Sequence, residues 1–231
     1  MEYERLIDGA KRYGLEDNIY DLASTMISRH GILSKEALAG VFVLIFSWNK
    51  DYYSPPSPSP RKPIELLDQH VKELETTLES EKEYILALRN KSIDNLDFEE
   101  RLQRSGLTVG DAILHLFSRF DGFLGPTGAS KALHLLLPNL IVLWDTQIRK
   151  DYGIGNDADG FLKFQKMMKL LLDDAIADFV KKHKVGRHDA IQGILRLRYG
   201  AQPKGLAKLV DEFNWATRGE SKHQVFDKFV A

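Results

Sequence analysis

Three features of the 231-residue chain predict an all-α fold. Apolar residues recur at spacings of three, four and seven. Capping signatures stand ahead of those stripes, and no alternating apolar–polar run of useful strand length occurs. A compact multi-helix domain, or two helical lobes flanking a cleft, follows from that pattern.

Taken in order, the first strong apolar run is Ala37 to Trp48. It is shorter than the roughly 20 residues needed to cross a bilayer, so it reads as a buried core helix. The segment Ser54-Pro55-Pro56-Ser57-Pro58-Ser59-Pro60, continuing to Pro63, reads as a loop. Proline removes amide donors and biases its neighbours toward extended backbone. This loop at 54–63 is either an excursion within one helical domain spanning 1–231 or the boundary between two lobes. Leu67, Val71, Leu74 and Leu78, continuing to Ile85 and Leu88, predict one long amphipathic helix with Glu and Lys on its wet side. Thr108-Val109-Gly110-Asp111 has capping-box spacing ahead of the stripe Ile113, Leu116, Phe117 and Phe120. Phe161, Phe164, Met168, Leu171, Ala175 and Phe179 trace a further helix. Gly153–Asp157 and Gly200–Pro203 read as helix-ending loops. Asp211 to Trp215 closes a C-terminal helix, with Trp215 expected to dock on the core.

Composition excludes several chemistries. Without cysteine there is no disulfide, thiolate-bound zinc, cysteine-bound iron–sulfur cluster or cysteine nucleophile. The seven histidines show no HExxH-like spacing, and no Walker-type loop or Gly-x-Ser-x-Gly elbow is present. No metal and no cofactor are expected. The opening Met-Glu-Tyr-Glu-Arg lacks a basic and apolar leader, which predicts an intracellular protein, cytoplasmic or in the nucleoid or nucleus, with no membrane partner. No feature specifies an oligomeric state.

Net charge is −1, so any nucleic-acid surface must be local. Pro63 to Glu100 carries eleven acidic and four basic side chains, whereas Lys181 to Lys208 carries eight basic ones against Asp189 alone. Two solvated faces account for that asymmetry, or else a phosphate-facing patch near the C-terminus. In the patch reading Arg187, Arg196 and Arg198 contact nucleic acid.

The segment Leu124-Gly125-Pro126-Thr127-Gly128-Ala129-Ser130-Lys131 opens an apolar helix with a glycine turn. Gly125 and Gly128 permit close backbone approach, and amides at a helix start suit a phosphate oxygen. Lys131, set among alanine and leucine, is a candidate amine nucleophile if partly desolvated. The alternative is a solvated lysine on the polar side of the helix. Fourteen residues on, Asp145 is placed as N-cap of Thr146-Gln147-Ile148-Arg149-Lys150, and a capping aspartate can also face a cleft. Trp48, Trp144 and Phe123 are candidates for stacking on a base, although core packing is the commoner use of such residues. Asp173, Asp174 and Asp178 read as a solvated acidic face more readily than as ligands for a hard cation.

The order of a glycine turn, Lys131-Ala132-Leu133 on an apolar helix, then Asp145-Thr146, Ile148 and Lys150, resembles the helix-hairpin-helix DNA glycosylases over residues 124–150. The glycines are one residue further apart than in that family, the lysine-to-aspartate interval is shorter, and Gln147 stands where histidine is frequent. The resemblance implies a DNA partner and a base-excision glycosylase/lyase. Lys131 would attack the sugar C1′ of an extruded nucleotide, Asp145 would stabilise the cationic transition state, and Gly125, Gly128 and Lys150 would hold the DNA backbone. A non-catalytic helical module binding nucleic acid or a protein is the alternative. A coincidental likeness is a third reading.

Overall fold

The computed structural model describes residues 1–14, 17–48, 63–103, 106–201 and 204–219, with backbone only for 63–65. The described residues form ten α-helices and one 3-10 turn and contain no strand, only an isolated bridge between Arg101 and Thr108. The helices are α1 (Tyr3–Lys11), α2 (Asn18–His30), α3 (Lys35–Trp48), α4 (Pro63–Ser80), α5 (Lys82–Arg89), α6 (Val109–Leu136), α7 (Thr146–Asp151), α8 (Ala158–His183), α9 (Arg187–Tyr199) and α10 (Leu206–Ala216). The expected proline-rich loop lies outside the described residues up to residue 62, and α4 begins at Pro63, a first-turn position that proline tolerates. No helix among the described residues is long and apolar enough to cross a membrane.

Helix α6 is the central post, in contact with α2, α3, α4, α5 and α8, while α1 packs on α8, α9 and α10. One hydrophobic core runs from Leu6 to Phe213. The stripes at 113–120 and 161–179 both point into it. The capping box forms as the spacing requires: Thr108 Oγ1 accepts from the Asp111 amide at 3.0 Å, and Asp111 Oδ2 accepts from the Thr108 amide at 3.2 Å.

One expectation is corrected. The long helix running from Leu67 to Leu88 is two helices, α4 and α5, divided at Glu81. The Glu81 carboxylate is turned inward, 2.7 Å from His115 Nε2 and 3.1 Å from Arg119 Nε of α6. The break lets an acidic side chain reach partners on the central helix, which apolar periodicity does not register.

Two glycines set how closely and in what direction these helices run. A Cβ on Gly9 of α1 would lie 2.4 Å from the Phe213 ring of α10, so glycine is what allows these helices to approach so closely. Gly125 has φ 67° and ψ 166°, a conformation essentially restricted to glycine, and it breaks α6 into two helical runs. The second run is buried at every position from Gly128 to Leu136, as expected of a helix apolar all round. Gly128 therefore lies inside a packed helix, and only Gly125 of the pair adopts a positive φ.

Candidate active site

Three polar side chains interrupt the buried half of α6: Ser130, Lys131 and His134. Two bond to the extended segment that follows. Ser130 Oγ accepts from the Trp144 amide at 2.9 Å, and His134 Nδ1 donates to the Ile141 carbonyl at 2.6 Å. On the other side Gln165 of α8 acts as a substitute strand, bonding both the amide and the carbonyl of Val142 at 2.8 Å. Buried backbone groups must be paired, and these side chains pair them. The Trp144 indole N–H donates to the Pro126 carbonyl at 3.2 Å, tying the segment to the start of the same helical run. Asp145 is thereby delivered beside Lys131, and its Oδ1 caps α7 by accepting from the Ile148 amide at 2.7 Å.

Lys131 is the third polar group, and no hydrogen bond or ion pair reaches its amine among the described residues. Its side chain is 3% exposed and lines a cleft of about 720 Å³. Asp145 and Asp211 line the same cleft. Burial pushes the Lys131 pKa down to about 8, against the opposing pull of Asp145 and Asp211. Roughly a quarter of the amine is then neutral near pH 7.5, compared with about one part in a thousand for an ordinary lysine.

Aromatic faces wall the cleft. Trp48 is half-buried at the end of α3, stacked on Tyr20 with ring centroids 6.1 Å apart. Trp215 and Tyr13 meet edge to face at 5.2 Å. Contrary to the expectation that it docks on the core, Trp215 is 41% exposed and lines the cleft. Arg218 lies 4.2 Å from the Trp215 ring and 3.8 Å from Asp145 Oδ2. Tyr13, Asp211, Trp215 and Arg218 were not singled out by sequence reasoning as site residues. They come from opposite ends of the chain, and no local motif joins them.

Other candidates fall elsewhere. Trp144 is 1% exposed, packed among Phe117, Phe161 and Phe164, so it does not offer a face to a base. Phe123 is half-buried beside a separate depression with Arg119 and Lys72. Arg198 is buried, paired with Glu212 at 2.8 Å and bonded to the Gly14 carbonyl, so it does not face a ligand. Arg187 is exposed but pairs with Asp173 at 2.6 Å. Within the basic segment Lys182, Lys204 and Lys208 are also ion-paired, which leaves Lys181, Lys184 and Arg196 exposed without an ion pair among the described residues. Lys150 is exposed on α7.

In the acidic set on α8, Asp173 and Asp178 are engaged by Arg187 and Lys182. Among the described residues no group of three or more His, Asp or Glu side chains could hold a metal ion. Compared with models of protein families, with curated proteins and with solved structures, the chain matches none.

Proposed function

We propose that the chain is a DNA-binding protein that acts at the sugar C1′ of an extruded nucleotide, as a base-excision glycosylase with lyase chemistry. One observation carries this reading: of the three polar side chains in the buried α6 run, Lys131 alone makes no hydrogen bond among the described residues. It is desolvated and shares a cleft with the Asp145 carboxylate. The cleft volume falls within the range of about 300–1,000 Å³ common to small-molecule sites. The resemblance of residues 124–150 to helix-hairpin-helix DNA glycosylases supports the same reading.

In this mechanism the target nucleotide leaves the stack, because its C1′ is otherwise shielded. Trp48 and Trp215 supply the flat faces against which the base rests. The neutral Lys131 amine forms a bond to C1′ as the bond from C1′ to the base breaks, and the sugar then opens to a Schiff base. Asp145 supplies the carboxylate that favours positive charge developing on the sugar ring. One of its oxygens caps α7, which fixes the direction of the other. Gly125, Lys150 and Arg196 hold phosphates, so binding weakens as salt rises.

Borohydride trapping on duplexes carrying damaged bases or abasic sites tests the proposal. Wild-type protein should form a covalent adduct and Lys131→Ala should form none; an adduct of equal yield in the variant removes Lys131 from the role. The internal pairing of most of the basic segment favours a second reading, a non-catalytic helical module that binds DNA or a protein partner. Salt-sensitive duplex binding with neither adduct nor base release would support that module.

A further inference from the structure

A buried network that the steps above leave unused lies against the cleft. Lys208 of α10 is fully buried, with Nζ 2.9 Å from Asp211 Oδ2 and 3.3 Å from Asp17 Oδ2. The same ammonium lies 4.5 Å from the Tyr20 ring, 4.8 Å from Tyr13 and 4.9 Å from Trp48. Aromatic faces attract a cation. The Tyr13 hydroxyl donates to Asp17 Oδ2 at 2.6 Å. Burial opposes the charge on Lys208, but Asp211, Tyr13, Asp17 and Glu212 outweigh it and raise its pKa. Asp211 is 2% exposed and lines the cleft with Lys131. Its Oδ2 takes the Lys208 bond, while its other oxygen has no hydrogen-bond partner among the described residues.

We propose that Asp211 is a second carboxylate of the Lys131 site, shuttling protons during Schiff-base formation, and that Lys208 is the positioning residue that keeps it aimed. The inference rests on the reading of Lys131 as a nucleophile. When a lysine ammonium and an aldehyde become an iminium and water, nitrogen sheds two protons and the carbonyl oxygen gains both. The nitrogen lone pair makes the new bond to carbon, and oxygen departs as water with the electrons of its last bond to carbon. Asp211 takes each proton from Nζ and passes it to that oxygen, ending as the carboxylate it began as. Asp145 is poorly suited to this task, because its Oδ1 is held by the Ile148 amide and its Oδ2 faces Arg218. The charged and titratable groups that line the cleft with Lys131 are Asp145 ahead of α7, Asp211 on α10, Tyr13 after α1 and Arg218 after α10, and behind Asp211 lie Lys208, Asp17, Glu212 and the buried His134 of α6.

The test needs no DNA. Propionaldehyde with cyanoborohydride is applied to the whole protein across pH 6–11, and Lys131 modification is followed by peptide mass spectrometry. Asp211→Asn keeps the shape and a hydrogen bond to Lys208. Loss of its charge should shift the Lys131 titration to lower pH and so increase the neutral amine. If Asp211 only tuned that charge, labelling would speed up near pH 7 and reach the same plateau at high pH. With a proton shuttle removed, the high-pH plateau should instead fall by at least about tenfold. Lys208→Met should lower the plateau too, and Lys208→Arg should recover part of it.

A folded Asp211→Asn protein with an unchanged or higher plateau overturns the inference. Should that variant not fold, carboxyl-13C aspartate labelling of wild-type protein decides. The Asp211 resonance should inflect where Lys131 titrates, and a flat trace there overturns the inference. Absence of trapping on every DNA substrate, combined with the plateau loss, would remove the DNA reading and leave this one standing.

Discussion

Lys131 enters the fold desolvated, with its pKa pushed down to about 8 from an ordinary value of 10.5. The folded state therefore binds fewer protons than the unfolded chain between those two values, and stability contributed by this group rises with pH across that window. Below pH 8 the penalty is fully present, on the order of 3 kcal/mol. Lys131→Met, which removes the charge and keeps the stem, should stabilise the protein at pH 7 by about 1–3 kcal/mol in urea unfolding. The gain over wild type should shrink as pH approaches 10.5; a gain independent of pH would mean that the amine is solvated. Arg198 presents the contrasting case. Its guanidinium is buried against Glu212, so Arg198→Ala leaves an unpaired buried carboxylate and should cost about 3–5 kcal/mol. The same change at Arg196, on the exposed side of α9, should leave the unfolding midpoint nearly unmoved.

At the scale of elements, α6 and the segment after it form one device for placing Asp145 beside Lys131. Nothing lies within 4 Å of a Cβ added at Gly125, so the cost of Gly125→Ala comes from backbone conformation alone, about 1–3 kcal/mol. Because that break sets the direction of the run bearing Lys131, aldehyde labelling of Lys131 should change along with the unfolding midpoint. Gln165 is 23 residues from Val142 and is the only described partner of that residue's amide and carbonyl. Gln165→Leu leaves two buried backbone groups unpaired and should cost about 2–6 kcal/mol at the usual 1–3 kcal/mol for each. Hydrogen exchange should show the Val142 amide losing protection first; exchange unchanged at Val142 would mean that another group satisfies it. Much at this scale was legible from local spacing. The Thr108–Asp111 box, the Asp145 cap and the 161–179 stripe all depend on residues within a few turns of one another. The division of α4 from α5 was not, since it depends on His115 and Arg119 meeting Glu81 from 34 and 38 residues away.

For the whole molecule, charge counted along the chain gives a poor picture of charge presented to a ligand. Five of the eight basic side chains from Lys181 to Lys208 are spent on internal ion pairs, so little of that segment's excess faces outward. Duplex binding should accordingly show a shallow dependence on salt. Lys150→Ala should lower the slope of log affinity against log salt by about one and weaken all sequences alike. A slope as steep as eight neutralised phosphates would require would show that those pairs open on binding.

The sequence by itself determined what short-range physics controls: an all-helical build, most helix positions, the caps, and an apolar helix bearing one lysine followed by a capping aspartate. Tertiary packing decided which of those groups share a space. It sealed Trp144 and Arg198 inside, turned Trp215 outward, and brought Tyr13, Asp211 and Arg218 from the two ends of the chain to the cleft that Lys131 lines. Helical period and capping are set by neighbours within four residues. Burial and proximity are set by close helix contacts such as Gly9 on Phe213, between residues that the sequence keeps some two hundred positions apart.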